Sequence, residues 1–366
     1  MGQIGFRRKA TRTRRSIGCA CRRFFRPRVF FIIGVSPLLD QPQHVVLPGM
    51  EAYPKNLTEL EQWFSTEDAC REYLCRLRWP EGFCCPVCGH GEAWTLKGWL
   101  FKCRNCGHKA SVIAGTIFEG TRKPLVLWFR AIWWVTSQKN GASALGLQHI
   151  LGLGSYETAW TWLHKLRRAM VRPGRDRLSG SIQVDETYIG GEKPGKRGRG
   201  AQGKTLVVIA AQEHGEATGR IRLKQVADAS AESLEAAVQE TIEPGAVVKT
   251  DGWLGYKGLR SLGYRHEVIR KTADVGKNLL PLCHREAALI KRWLVGTHQG
   301  AVSHEHLAYY LDEYTFRFNR RTSSYRGKLF YRLLQNAVLL DPVRYGDVTL
   351  AVRGPRPKHN MLGLVQ

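Results

Sequence analysis

The stretch Val184-Asp185-Glu186-Thr187-Tyr188-Ile189-Gly190-Gly191 decides the fold class. Residues 182–189 alternate and are rich in β-branched and aromatic side chains, the signature of a strand. Further along, Leu206 to Ala211 is an unbroken apolar run, as expected of a central strand, and Arg220 to Val226 alternates again. Ala231 to Ile242 sets Leu234, Ala237, Val238 and Ile242 on one helical face, and Ala246 to Thr250 reads as another buried strand. The order β-β-β-α-β predicts an α/β domain.

Asp185 falls within the first strand of that domain. In Val248-Lys249-Thr250-Asp251-Gly252-Trp253, Asp251 stands immediately after a later strand. A lone aspartate at a strand end is usually a turn or cap residue. Two on neighbouring strands are the donor set that holds Mg2+ or Mn2+ for in-line phosphoryl transfer. The third group is open between His284 and Glu286, in His284-Arg285-Glu286, ahead of a helix expected from about Arg285 to Val295. Glu286 is also explained as an acid in a first helical turn, where the dipole favours it.

Upstream, Cys85-Pro-Val-Cys88 and Cys103-Arg-Asn-Cys106 form two C-x2-C pairs, each followed by a glycine. Four thiolates at this spacing make a closed structural Zn2+ site, with a hairpin around Trp99 and Phe101 between the pairs. The ten cysteines are clustered, which suits a reducing compartment rather than a disulfide framework. Helices are expected from Leu57, over Glu67–Arg76, Pro124–Ser137, Ser143–Ile150 and Ser155–Val171. The last two have the outline of a helix-turn-helix or of a plain helical hairpin. In the first reading Tyr156, Thr158, Thr161, Lys165, Arg167 and Arg168 reach phosphates.

The chain carries 56 Lys plus Arg against 31 Asp plus Glu, a net charge of +25 over 366 residues. Residues 1–49 contribute +9, from ten basic residues and Asp40, so +16 belongs to the rest. Such a balance points to a polyanionic partner. Between the first two strands, Gly190 to Lys204 holds five basic residues (Lys193, Lys196, Arg197, Arg199 and Lys204), six glycines and one acid. That loop, together with Lys291 and Arg292, is the expected DNA contact. No apolar run reaches 18 residues, so no membrane span is expected. Val29–Leu39 after its basic flank imitates a secretion signal, but no small-residue cleavage site follows.

These residues together resemble the DDE-type insertion-sequence transposases that carry an N-terminal zinc ribbon and an RNase H-like catalytic domain, which implies a mixed five-stranded sheet with flanking helices. The resemblance runs through Trp63-Phe64-Ser65-Thr66-Glu67, Tyr73-Leu74, Arg78-Trp79-Pro80, and Cys85-Pro-Val-Cys88-Gly89. It continues in Phe101-Lys102-Cys103-Arg104-Asn105-Cys106, Ala114-Gly115-Thr116-Ile117-Phe118 and Ser155-Tyr156-Glu157-Thr158-Ala159-Trp160. In the second half it rests on Val184 to Gly191, Thr250-Asp251-Gly252-Trp253, Lys291-Arg292-Trp293-Leu294, Gly296-Thr297-His298, Tyr310-Leu311-Asp312-Glu313 and Phe316 to Arg321. It implies metal-dependent cleavage and strand transfer of double-stranded DNA, both transposon ends and target. It also implies recognition of terminal inverted repeats by a homo-oligomer, in a bacterial cytoplasm at the nucleoid, with no membrane partner. Asp185 and Asp251 match the family's first two catalytic acids. Relatives with a complete triad place Glu seven residues before the lysine equivalent to Lys291, and here that position is His284. The alternatives are a zinc-ribbon regulator or domesticated inactive transposase, and an RNase H-like nuclease. The expected organisation is a basic disordered extension (1–49), N-terminal helices (50–82), zinc ribbon (83–120), helical connector (121–175), catalytic domain (180–340) and flexible tail (341–366).

Overall fold

The structure is a computed structural model and describes residues 52–172, 174–190, 204–270, 278–300 and 302–349. Lys193, Lys196, Arg197 and Arg199 lie outside these residues, as do residues 1–49. The chain begins with α1 (Leu57–Trp63) and α2 (Glu67–Arg78). Their N-caps are Asn56 and Thr66, whose side-chain oxygens accept the N–H of Glu59 and of Ala69. A three-stranded antiparallel ribbon follows: β1 (Ala93–Leu96), β2 (Leu100–Cys103) and β3 (Lys109–Ser111). Its hairpin tip is tied to α2, because Trp99 Nε1 donates to Asp68 and Arg71 to the carbonyl of Gly98. Then come α3 (Leu125–Ser137), α4 (Ala144–Leu151) and α5 (Tyr156–Ala169), the last two capped by Ser143 and Ser155.

The sheet module consists of β4 (Ser181–Ile189), β5 (Thr205–His214), β6 (Ala217–Val226), α6 (Ala231–Thr241), β7 (Val247–Thr250), a 3-10 helix (Leu254–Arg260) and β8 (Arg265–Val268). After it come α7 (Pro281–His298), α8 (Leu307–Phe318), α9 (Arg326–Leu339) and α10 (Tyr345–Thr349). The sheet order is β6-β5-β4-β7-β8. β4, β5 and β6 pair antiparallel, whereas β7 runs parallel to β4 and β8 parallel to β7. Strand alternation sends Ile182, Val184, Val208 and Ala210 to one face, under α6 and the 3-10 helix. It sends Ile189, Val207, Ile209 and Ala211 to the other, under α7 and α8. The exposed edge of β6 is blunted, since Asn319 hydrogen-bonds both the N–H and the carbonyl of Ile221.

Three departures from the sequence reading have physical causes. Residues 326–339 were expected within the catalytic domain, but α9 buries Leu329, Phe330, Leu333, Leu334 and Ala337 among the aromatics of α2 and α3. The helical core is thus closed by two segments far apart in the chain. The helix expected from Arg285 begins a turn earlier, at Pro281, whose ring is preorganised for a first helical position. Past Asp341 the chain does not fray at once, because Val343 and Val348 are buried and His306 Nε2 bonds the carbonyl of Val348.

The two modules are joined by a buried ion triad. Glu313 of α8 is fully buried and accepts from Arg167 Nε of α5 at 2.7 Å and from Arg317 Nη2 at 2.8 Å. Arg317 also donates to the carbonyls of Val135 and Gln138 at the end of α3. Arg167 and Thr161, read above as residues that reach phosphates, are therefore turned inward. Burial pushes the Glu313 carboxyl up, but the two guanidiniums override it and hold it down at about 2. The folded value lies below the unfolded one, so this stabilisation is complete above about pH 4.5 and is lost as pH falls toward 2. Arg167→Met should cost on the order of 3 kcal/mol in chemical denaturation, because it leaves a buried charge half-compensated. Glu313→Gln should flatten the acid-unfolding curve in that pH window.

Candidate active site and metal centres

The acids are brought together by strand register. β4 and β7 pair as Ser181 with Val247, Ile182 with Val248 and Gln183 with Lys249. The constant offset of 66 carries Asp185 onto Asp251, on neighbouring parallel strands. Asp185 leaves β4 on the face that α7 covers, since its β5 partner is Ile209 of that core. Asp251 lies just past the end of β7, where the chain turns through Gly252 at φ +85°. A Cβ at Gly252 would stand 2.7 Å from Val268 Cγ1, so both the turn and the room require glycine. Asp251 Oδ1 accepts the N–H of Trp253, which fixes the carboxylate at the strand's end.

The third member comes from α7. His284 Nε2 stands 3.3 Å from Asp185 Oδ2. Its Nδ1 hydrogen-bonds Asn278 Oδ1 at 2.5 Å. An amide oxygen only accepts, so Nδ1 carries a proton; Nε2 then either donates to Asp185 in the protonated ring or, in the neutral ring, is free to ligate a cation set between it and the carboxylates. Burial pushes the Asp185 carboxyl up to about 6, with Glu186 and Asp251 adding repulsion and His284 opposing it. Crowded carboxylates of this kind are the donor chemistry that a divalent cation fits.

Glu286 does not join this group. Two residues on a helix are about 200° apart, so His284 facing the acids turns Glu286 away. Glu286 is fully buried, Tyr314 Oη donates to its Oε2 at 3.3 Å, and Thr218 lies beside it. Burial pushes its carboxyl up to about 7. Seven residues are nearly two whole turns, so Lys291 returns to the His284 face. There it meets Lys204: burial, then repulsion from Lys204, lowers the Lys291 ammonium. Arg292 is exposed one position round the helix.

Sequence reasoning missed the rung beneath the acids. Gln183 and Lys249 each precede an aspartate by two residues, and both reach Glu213, at 3.0 and 2.9 Å. Gln183 Oε1 then accepts the N–H of Leu282 in the first turn of α7. The helix that presents His284 is thereby hooked to the strand that presents Asp185. The only available signal was the repeated two-residue spacing. Asn278 and the Tyr256 hydroxyl that donates to Glu186 carried no signal at all.

The four predicted ribbon cysteines converge. The Sγ atoms of Cys85, Cys88, Cys103 and Cys106 all lie within 4.8 Å of one another. Cys85 to Cys106 and Cys88 to Cys103 are both 3.6 Å. A tetrahedral ion with bonds of about 2.3 Å separates its sulfurs by roughly 3.8 Å, so the cage has the right size. The two halves repeat one design. Cys85 N–H donates to the His90 carbonyl and Gly89 N–H to the Cys85 carbonyl, and Cys103, His108 and Gly107 do the same. Gly89 and Gly107 adopt φ of +73° and +70°, which an L side chain resists. Among the described residues this is the one His, Cys, Asp and Glu group drawn that tightly, so the Asp185, Asp251 and His284 atoms are more widely spread.

Residues 177–319 match the family described as the ISXO2-like transposase domain, and residues 65–109 match the transposase zinc-ribbon domain. A transposase domain and a transposase zinc ribbon are thus both matched within this one chain. Among curated proteins it is 25% identical, over 279 residues, to an uncharacterized protein in transposable element ISH50 of Halobacterium salinarum. The alignment takes in 69% of this chain and 91% of that one. Among solved structures, a chain of the simian T-cell lymphotropic virus intasome in complex with PP2A regulatory subunit B56 gamma is 13% identical, with a TM-score of 0.26. That match takes in 51% of this chain and only 64% of the other, and the superposition is too loose to argue from. Among the described residues no helix is long and apolar enough to cross a membrane.

The hydrogen bond from His284 to Asn278 makes a spectroscopic prediction. In the parent, 15N NMR should find the His284 imidazole, when neutral, as the Nδ1–H tautomer. Asn278→Ala should return it toward a mixture, and an unchanged tautomer would show that Asn278 does not set it.

Proposed function

We propose that the chain cleaves and joins DNA as the transposase of an insertion sequence, with Asp185, Asp251 and His284 as its catalytic residues. The observation that carries this reading is the shared register that sets Asp185 and Asp251 side by side, with His284 Nε2 3.3 Å from Asp185. The sheet is read as RNase H-like. Three antiparallel strands, a helix, and two further strands parallel to the first support that reading.

The two aspartates and His284 would hold the catalytic Mg2+ or Mn2+. Bound there, a divalent ion would activate the attacking water or 3′-hydroxyl and stabilise the leaving oxygen of an in-line displacement. The chain's own residues do the rest. Asn278 keeps the His284 lone pair aimed inward, and Gln183 holds α7 against the sheet. Lys204 and Lys291 lie on the His284 face and would hold phosphates of the strand being cut. The loop with Lys193, Lys196, Arg197 and Arg199 precedes Lys204 in the chain and is assigned to the same DNA. Imidazole suits Mn2+ better than Mg2+, so the substitution of His for Glu predicts a preference for manganese. Glu286 is assigned no catalytic part. The partners are transposon ends and target DNA, handled by more than one copy of the chain.

A strand-transfer assay with a pre-cleaved transposon end and a plasmid tests this. Asp185→Asn and Asp251→Asn should each abolish joining, by at least a thousand-fold. His284→Ala should do nearly the same, and His284→Glu should shift the preference toward Mg2+. Glu286→Gln should retain joining. Cleavage without joining would favour a nuclease, and joining by Asp185→Asn would end the proposal. The cysteine cage is assigned one structural Zn2+. Atomic emission should find one zinc per chain, and Cys103→Ser should lose it and unfold the ribbon, read as new protease sites within residues 83–111.

A further inference from the structure

Away from the acids, a cleft of about 890 Å3 opens where the helical module meets the edge of the sheet. Its walls are the end of α2, the segment after α5, the outer strand β6, and facing stretches of α8 and α9. Eight arginines and lysines line it against two carboxylates, Asp176 and Asp312. Asp176 is already engaged by Arg172 at 3.0 Å.

Arg222 shows what this imbalance means. It is 6% exposed, and its guanidinium donates to two backbone carbonyls, of Ile221 and Asp176. Arg320 lies over the Phe316 ring and donates to the Phe316 carbonyl, and Arg220 donates to the Gln212 amide. Among the described residues none of these three has a carboxylate within 4.0 Å. Carbonyl and amide oxygens meet their hydrogen bonds but do not neutralise the charge. Burial lowers the Arg222 guanidinium to about 10, Arg175, Arg220 and Arg320 add to the fall, and Asp176 opposes it only in part. Concentrated, partly desolvated cations at a protein surface are a built site for a polyanion.

Register separates this cleft from the acids. Arg222 pairs with Ala210, which pairs with Val184, so Arg222 leaves the sheet on the face opposite to Asp185. β5 intervenes between the two strands. We propose that the cleft between α5, β6, α8 and α9 binds the phosphate backbone of DNA, at a second segment beyond the one held over the acids. The inference rests on the reading that the chain acts on DNA. It adds a sequence-independent hold, in which arginine guanidiniums engage phosphate oxygens.

The test uses the full chain and a fluorescein-labelled 30-base-pair duplex of random sequence, titrated by anisotropy from 50 to 200 mM salt. The double variant Arg220→Gln, Lys328→Gln changes two cleft residues that are not deeply buried. It should bind about ten-fold more weakly, with a log–log salt slope shallower by about 2. The charge-retaining pair Arg220→Lys, Lys328→Arg should restore both. Parent-like affinity and slope in the double variant would overturn the proposal. So would a phosphate-dependent rise in melting temperature that the variant loses while duplex binding is unchanged, since the cleft would then serve free phosphate alone. Parent-like binding by the variant, with intact joining by the parent, would refute the cleft and leave the transposase reading standing. Weakened binding, with no joining by the parent, would uphold the cleft and refute the joining.

Discussion

Glu313 is a carboxylate with no access to water, held between Arg167 and Arg317. Taking three charges out of water is expensive, and only close, well-hydrogen-bonded geometry offsets the cost. The triad tolerates one arrangement of α5 against α8, and the other contacts follow. Arg317 fastens the end of α3, while Trp293 and Thr297 of α7 both reach the carbonyl of Asn140. Gly141 passes so close that an added Cβ would lie 3.2 Å from Glu313 Oε1. The helix that presents His284 is thus clamped at one end to the sheet, through Gln183, and at the other to the helical module.

Against this frame the site is a product of two periodicities. Strand pairing with a fixed offset sets Asp185 beside Asp251, and the 100° step of α7 keeps His284 and Lys291 on one face while burying Glu286 on another. Burial, with repulsion from Glu186 and Asp251 added, lifts the Asp185 carboxyl. The basic surface is divided in the same way. Lys204 and Lys291 gather on the acids' face, whereas Arg220 and Arg222 leave β6 on the other.

Local patterns were legible wherever a single element settled them. The caps Thr66, Ser143 and Ser155, the alternation of β4 and β6, the apolar run of β5 and the paired cysteines all correspond to what folds. α9 was not seen because its apolar residues answer to a core built by α2 and α3, more than 200 positions earlier. β8 was missed because Arg265-His-Glu-Val268 lacks strand composition and is held by pairing with β7. Arg167 was misjudged for the same reason, since a basic residue in the last turn of a helix reads as solvent-facing until its partner is known.

What the sequence by itself determined is the chemistry that needs only spacing: a four-thiolate cage, one aspartate within a strand and another just past a strand end, and a sheet of this strand order. Bond geometry makes those inferences local, because C-x2-C and strand–turn patterns close within a few residues. Only the tertiary structure sets His284, rather than Glu286, beside Asp185. Their separation in sequence is trivial, and which one faces the acids depends on how α7 is rotated when Gln183 and the helical module seize its two ends. Only packing, likewise, sorted the surplus arginines into Arg167 and Arg317, which lock the modules together through Glu313, and others that line a cleft, because a guanidinium's role is set by what lies within its reach.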